Sequence, residues 1–377
     1  MKDSMTADCP TVLLAPVLAA ERWTSIDLLR ENYLAGFRDH APSWPVQDIT
    51  PGERFAGVPF GKRVLRDLVY PVHAGAAARH YERRGDRPVL HVIDHSYGHL
   101  CSTWKRSVIT CNDLNHYTYP TMRGPALWAW RARASCMKDA KRVVCISAQL
   151  ASEVHEHLHI PAERITVAYY GIDRTVFRKR TEEECARAFP ELAALAKSHG
   201  LVVNIGSNVA RKNLATTLRA LAFLKHQRKL PVKLLKVGHN LQDDGYGPLM
   251  AQLGVAEDVL NLGALTPDQV ACVCSLAHAL CFSSLYEGFG RPTVESQACE
   301  LPCVLAKSSC MEEIGGSGAL YHESTNHEEL AAHLEQALTD KPTRRTLIAA
   351  GSQNVARFTW EGHMRKLLAV YEEVLAS

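Results

Sequence analysis

The chain has 377 residues, which at roughly 150 residues per domain is room for two domains, each with a sizeable core. Apolar side chains make up 46% and charged ones 22%, which excludes a disordered chain. The 43 Lys and Arg against 40 Asp and Glu leave +3, too little to mark a dedicated nucleic-acid binder.

That charge is uneven. Residues 1–180 carry 25 basic and 18 acidic side chains and residues 181–377 carry 18 and 22, so the first half is the one that attracts anions. The opening MKDSMTADCP lacks the basic start and long apolar stretch of a secretory signal, and no run approaches the roughly 18 apolar residues of a membrane span. The expectation is a cytoplasmic protein, at most resting on the inner face of the membrane. Its 12 cysteines are scattered without paired zinc spacing, which favours free core thiols in a reducing compartment.

Short apolar runs alternate with longer helical stretches, the pattern of a parallel α/β fold. Strands are expected at 12–18, 89–94, 108–111, 143–146 and 165–169, then at 201–205, 234–237, 260–263, 279–282 and 303–305, two sets of about five. After the first strand, residues 15–25 contain no glycine. After the second come Asp94, His95, Tyr97 and His99, placed at a strand end where they can line a binding cleft, although a structural role fits each histidine equally well. No spacing enforces metal ligation by Asp94, His95, His99 and His116, and no metal ion is expected. Residues 125–142 are basic and aromatic, with Trp128, Trp130, Arg131 and Arg133. Such a stretch suits an anionic membrane surface, or a helix with buried tryptophans and solvated cations. Between the two sets, 173–200 reads as a connection with one helix, and the chain closes on an amphipathic helix over 361–375.

The second set carries the chemistry. Arg211-Lys212-Asn213 stands between a strand end and a helix start, where open α/β sheets bind ligands, and two cations there can clamp a diphosphate. In 279–298 a strand, a loop with two glycines and Pro292 opening a helix make a phosphate-friendly junction. Glu287 and Glu295 flank it and suit sugar hydroxyls, although an isolated pair at this spacing also fits a solvated loop charge and a dipole-complementing helix charge. Neither Gly288-x-Gly290 nor 315–318 completes a dinucleotide fingerprint, which argues against an NAD enzyme.

Three motifs, Gly206-x4-Arg211-Lys212-Asn213-Leu214, the strand 260–263 followed by Thr266-Pro-Asp-Gln-Val270, and Ser284-Leu-Tyr-Glu-Gly-Phe-Gly-Arg-Pro-Thr-Val-Glu295, resemble the retaining, nucleotide-sugar-dependent glycosyltransferases of family 4. The resemblance is close over 201–340 and weaker upstream. It implies a GT-B fold, two Rossmann-like doubly wound parallel-sheet domains facing a cleft: 1–175 for the acceptor, 176–355 for the nucleotide sugar, and 356–377 as a helix returning to the first domain. It further implies that Glu287 contacts the donor sugar, Glu295 the ribose, and Arg211 and Lys212 the diphosphate. Phe289, Gly290, Arg291, Gly206 and Leu265 complete the donor site. His95, Asp113 and Tyr97 meet the acceptor, and Asn112 takes the place of a His that many relatives carry before the Asp. Asn can hydrogen-bond a sugar hydroxyl but cannot titrate. The expected activity is a metal-independent, retaining hexosyl transfer from a nucleoside diphosphate sugar to a hydroxyl acceptor, a glycan or a lipid-linked sugar. A sugar-nucleotide epimerase or hydrolase, or a catalytically silent nucleotide-sugar-binding scaffold, stays open.

Overall fold

The computed structural model describes residues 9–21, 24–53, 57, 60–120 and 122–377, with backbone alone at 24–27. The expectation about a signal segment falls mainly on residues 1–8, outside the described residues, as do Arg22 and Trp23 of the glycine-free loop.

The chain forms two compact units, one of Met1–Gly171 with Trp360–Ser377 and one of Ile172–Thr359. The first holds β1 (Val12–Ala15), β2 (Val46–Asp48), β3 (Val89–Val92), β4 (Ser107–Cys111), β5 (Arg142–Cys145) and β6 (Ile165–Val167), all parallel, in the order β2-β1-β3-β4-β5-β6. The second holds β7 (Gly200–Gly206), β8 (Val232–Gly238), β9 (Val259–Gly263), β10 (Ala279–Phe282), β11 (Cys303–Ala306) and β12 (Ala319–His322), also all parallel, in the order β12-β11-β10-β7-β8-β9. Central strands such as VLHV and ALCF are buried throughout, as parallel strands covered on both faces must be. Strand order reverses between β1 and β3 and between β7 and β10, so each unit has one crevice at its strand carboxyl ends fit for a ligand.

All ten expected strands form, and two more join them. β2 is a three-residue, half-exposed edge strand, and β12 follows the glycine cluster 315–318; neither carries an apolar run long enough to announce itself. The segment 173–200 holds two short helices, not one. Thr181 and Glu184 form a capping box on Glu182–Ala188, and Pro190 starts Pro190–Leu195.

The closing helix Trp360–Ala376 packs into the first unit. A Cβ at Gly171 would lie 2.2 Å from the Trp360 backbone nitrogen, so glycine permits the approach. Inside, the Tyr371 hydroxyl lies 2.8 Å from His91 Nδ1, and Thr110 Oγ1 lies 2.9 Å from His91 Nε2 and 3.0 Å from the Tyr33 hydroxyl. Burial pushes the His91 imidazole down to about 3 and that of His363 down to about 4, so both are neutral members of this core.

Candidate active site

The β7–β10 crevice is built from two strand-to-helix loops. After β7 the chain makes a 3-10 turn, Ala210–Lys212, and Asn213 (φ 51°) turns it into Leu214–His226. Asn213 can occupy this left-handed position because its short amide bonds locally: Oδ1 accepts from Thr216 Oγ1 at 2.9 Å, and Nδ2 donates to the Ser324 carbonyl at 2.6 Å. After β10, Gly290 (φ 74°) begins the helix Arg291–Ala298, where a Cβ would meet Met311 Sδ at 2.9 Å.

The two loops meet at Glu287. Lys212 Nζ donates to its Oε1 at 2.6 Å, Arg211 Nη1 lies 3.2 Å from its Oε2 and donates to the Tyr286 carbonyl at 2.9 Å, and the Leu285 amide donates to the Arg211 carbonyl at 2.7 Å. The Glu287 amide is held by Ser309 Oγ at 2.9 Å, and Lys212 Nζ sits 4.7 Å over the Phe282 ring. Burial alone would raise the Glu287 carboxyl, but Lys212 and Arg211 outweigh it and hold it below the usual carboxylate range. Glu295 is the opposite case: burial raises it, with Arg291 at 3.3 Å as a partial offset.

Thus Arg211, Lys212 and Glu287 form one network, with Gly206 alongside, since a Cβ there would lie 3.7 Å from Lys212 Nζ. Gly290 and Arg291 stand at the helix start with Glu295, and Phe289 is buried edge-on to Phe358. Leu265 lies apart, in the loop after β9, two strands from β7. Sequence reasoning missed Lys236. It is wholly buried in β8, its Nζ donates to the Gly206 and Val237 carbonyls, and burial with the Lys212 charge pushes it down to about 8. A lysine inside the apolar run 234–237 was its signal.

In the first unit the ends of β3 and β4 gather a second cluster. Asn112 Nδ2 donates to Asp94 Oδ2 at 2.8 Å, the Asn112 amide to His95 Nδ1 at 3.4 Å, and Tyr170 to Asn112 Oδ1. His95 Nε2 lies 3.8 Å from Asp113 Oδ1. β4 ends at Cys111, so Asn112 and Asp113 both lie in the following loop and both approach His95. Tyr97, expected at the acceptor, is instead wholly buried: its hydroxyl accepts from the Leu18 amide at 3.3 Å and its ring packs against those of Tyr70 and His99. His99 turns away to the Arg66 carbonyl at 2.9 Å. Among the described residues no group of three or more His, Cys, Asp or Glu is placed to hold a metal ion.

Two family models match the chain: Glycosyltransferase Family 4 over residues 37–176 and Glycosyl transferases group 1 over residues 190–354. The chain belongs to glycosyltransferase family 4. O-antigen chain mannosyltransferase B of Escherichia coli is 22% identical over 271 residues, 71% of this chain and 70% of its own length. The MMP alpha-(1->4)-mannosyltransferase of Mycolicibacterium hassiacum is 25% identical over 67% of this family 4 chain and 60% of its own length. The D-inositol 3-phosphate glycosyltransferase of Segniliparus rotundus reaches 30% identity over 63% and 53%. The match therefore spans only part of these relatives, little more than half in the last.

Solved structures share the fold. Sucrose-phosphate synthase from Thermosynechococcus elongatus gives a TM-score of 0.75 at 18% identity, over 97% of this chain and 99% of its own. Anabaena Alr3699/HepE in complex with UDP-glucose gives 0.69 at 16%, over 97% and 98%, and WaaG, a glycosyltransferase involved in lipopolysaccharide biosynthesis, 0.67 at 15%, over 96% and 98%. The two-sheet GT-B architecture expected of family 4 is the one observed.

Proposed function

We propose that this family 4 chain transfers a hexose from a nucleoside diphosphate sugar to a hydroxyl acceptor, with retention of configuration and without a metal ion, in polysaccharide biosynthesis. The observation that carries the reading is the Arg211–Lys212–Glu287 network at the β7–β10 crevice, one buried carboxylate with two cations beside a helix start. Two cations beside a helix start suit a diphosphate, and a carboxylate held ionised between them suits the hydroxyls of the sugar attached to it. Mannosyl transfer by two of the relatives supports a hexose donor.

Arg211, Lys212 and the start of Arg291–Ala298 stabilise charge on the departing diphosphate, Glu287 orients the sugar, and Glu295 holds the ribose. The leaving phosphate takes the acceptor proton. His95, Asn112 and Asp113 bind acceptor hydroxyls. Proton NMR of the first-formed glycoside tests the mechanism: an α-linked donor gives an α-product, and a β-product overturns retention and makes Asp113 and His95 the first bases to examine. Thermal shifts with UDP-, GDP- and ADP-sugars identify the donor, since a ligand at about 100 times its Kd adds roughly 2.7 kcal/mol.

A further inference from the structure

Large apolar side chains are exposed at nine described positions, and six of them, Phe60, Val64, Leu68, Val69, Val72 and Trp128, belong to two neighbouring helical segments of the first unit. Those segments wall a cavity of about 1000 Å³ lined by Phe60, Arg66, Pro125, Ala129 and Arg133 among others. Phe60 adopts φ 61°, a left-handed conformation that a bulky residue rarely takes, and the residue is 74% exposed. A single π turn, Leu65–Val69, interrupts the helix that follows. Leu68 and Val72 are 65% and 69% exposed and Trp128 is 76% exposed, a concentration that soluble surfaces avoid unless something covers it.

Charge identifies the covering partner. Lys62 and Arg63 lie between Phe60 and Val64, and among the described residues no carboxylate pairs with either. The carboxylates nearby are already engaged: Arg66 lies 2.8 Å from Asp67 and 3.1 Å from Glu21, with Arg133 3.9 Å from Asp67. Two cations of 125–142, by contrast, are tied inward. Arg131 donates to the His116 carbonyl, Arg133 to that of Ser96, and Trp130 is buried against His95 and His116. Apolar side chains that can enter an acyl boundary, interleaved with unpaired cations, are the composition of an interfacial membrane surface.

We propose that residues 60–72 and Trp128 dock this protein on an anionic lipid bilayer, with the cavity between their helices opening onto that surface. The proposal deepens the transferase reading, on which it rests for its purpose: an acceptor carried in the bilayer reaches the enzyme without leaving it. No helix among the described residues is long and apolar enough to cross a membrane, so docking is by this rim.

Sedimentation with phosphatidylglycerol-containing vesicles, against phosphatidylcholine alone, tests it. The full chain binds the anionic vesicles at low salt, Leu68→Ser with Val72→Ser weakens binding by at least about tenfold, and Lys62→Glu with Arg63→Glu does the same. Vesicles also shift tryptophan emission to the blue, and Trp128→Phe removes that shift. Wild-type protein remaining in the supernatant, binding indifferent to both double variants, or a dimer that Leu68→Ser with Val72→Ser dissolves would overturn the proposal. Nucleoside diphosphate affinity is measured on the same variants and stays unchanged; vesicle binding without any nucleotide binding would sink the transferase reading and leave the docking surface standing.

Discussion

Lys212 Nζ lies 2.6 Å from Glu287 Oε1, bridging the loop after β7 to the loop after β10. The proposed diphosphate and the carboxylate call on the same ammonium, which has three protons to give. Lys212→Met therefore acts twice, removing a phosphate ligand and leaving Glu287 with Arg211 alone. Nucleoside diphosphate affinity is expected to fall about 10- to 100-fold, the equivalent of one charge-assisted hydrogen bond of about 1.5–3 kcal/mol, and Arg211→Ala to act in the same direction. Calorimetric titration reads it; unchanged affinity in both variants removes the clamp.

The two glutamates separate kinetically. Glu295→Gln should weaken free nucleoside diphosphate and nucleotide sugar alike, whereas Glu287→Gln should chiefly lower kcat, since its proposed partner is the group being transferred. The reverse pattern would exchange their roles.

Lys236 offers a test of positioning. Its ammonium holds the Gly206 and Val237 carbonyls from within the sheet, and Lys236→Met leaves both without that donor, costing about 1–3 kcal/mol in urea unfolding and loosening the loop that carries Arg211 and Lys212. Because the folded value is depressed to about 8 from 10.5, the folded chain sheds that proton first, and this lysine's contribution to stability rises with pH between those values. Comparing wild type with Lys236→Met at pH 8 and pH 10 isolates it. An identical pH dependence in the two proteins would contradict a depressed lysine.

Acid should strike the first unit. His91 and His363 titrate at about 3 and about 4 when folded and at 6.5 when exposed, so unfolding takes up protons as pH falls below 6.5. Each histidine then costs roughly 1.4 kcal/mol of stability per pH unit, His363 down to about pH 4 and His91 to about pH 3. Urea midpoints of wild type and His363→Gln between pH 7 and pH 5 measure this, and a slope unaltered by the substitution would show that His363 has no part in it.

Short apolar runs made both sheets legible in the sequence, and β1, β3, β4, β10 and β11 are buried along their whole length. β2 and β12 escaped because neither is an apolar run: β2 reads VQD and β12 reads ALYH. At the crevice, Arg211, Lys212 and Glu287 could be named from their loops, yet nothing local says that two cations some 75 residues away meet that carboxylate. Lys236 was passed over because an apolar run draws the eye to its majority, and Tyr97 was misplaced because an aromatic beside polar residues reads the same whether it faces solvent or core.

The first unit is not continuous in the chain: Tyr371 reaches His91, and Trp360 reaches Gly171, across the whole of Ile172–Thr359. During synthesis the residues of the second unit therefore leave the ribosome before the last helix of the first exists. His91 and the β3–β4 surface must wait for Tyr371, while β7 to β12 already have every strand they pair with. That order departs from the usual N-terminal-first sequence of domain completion, and a chain stopped short of Trp360 would carry every strand and helix of the second unit but lack the closing helix of the first.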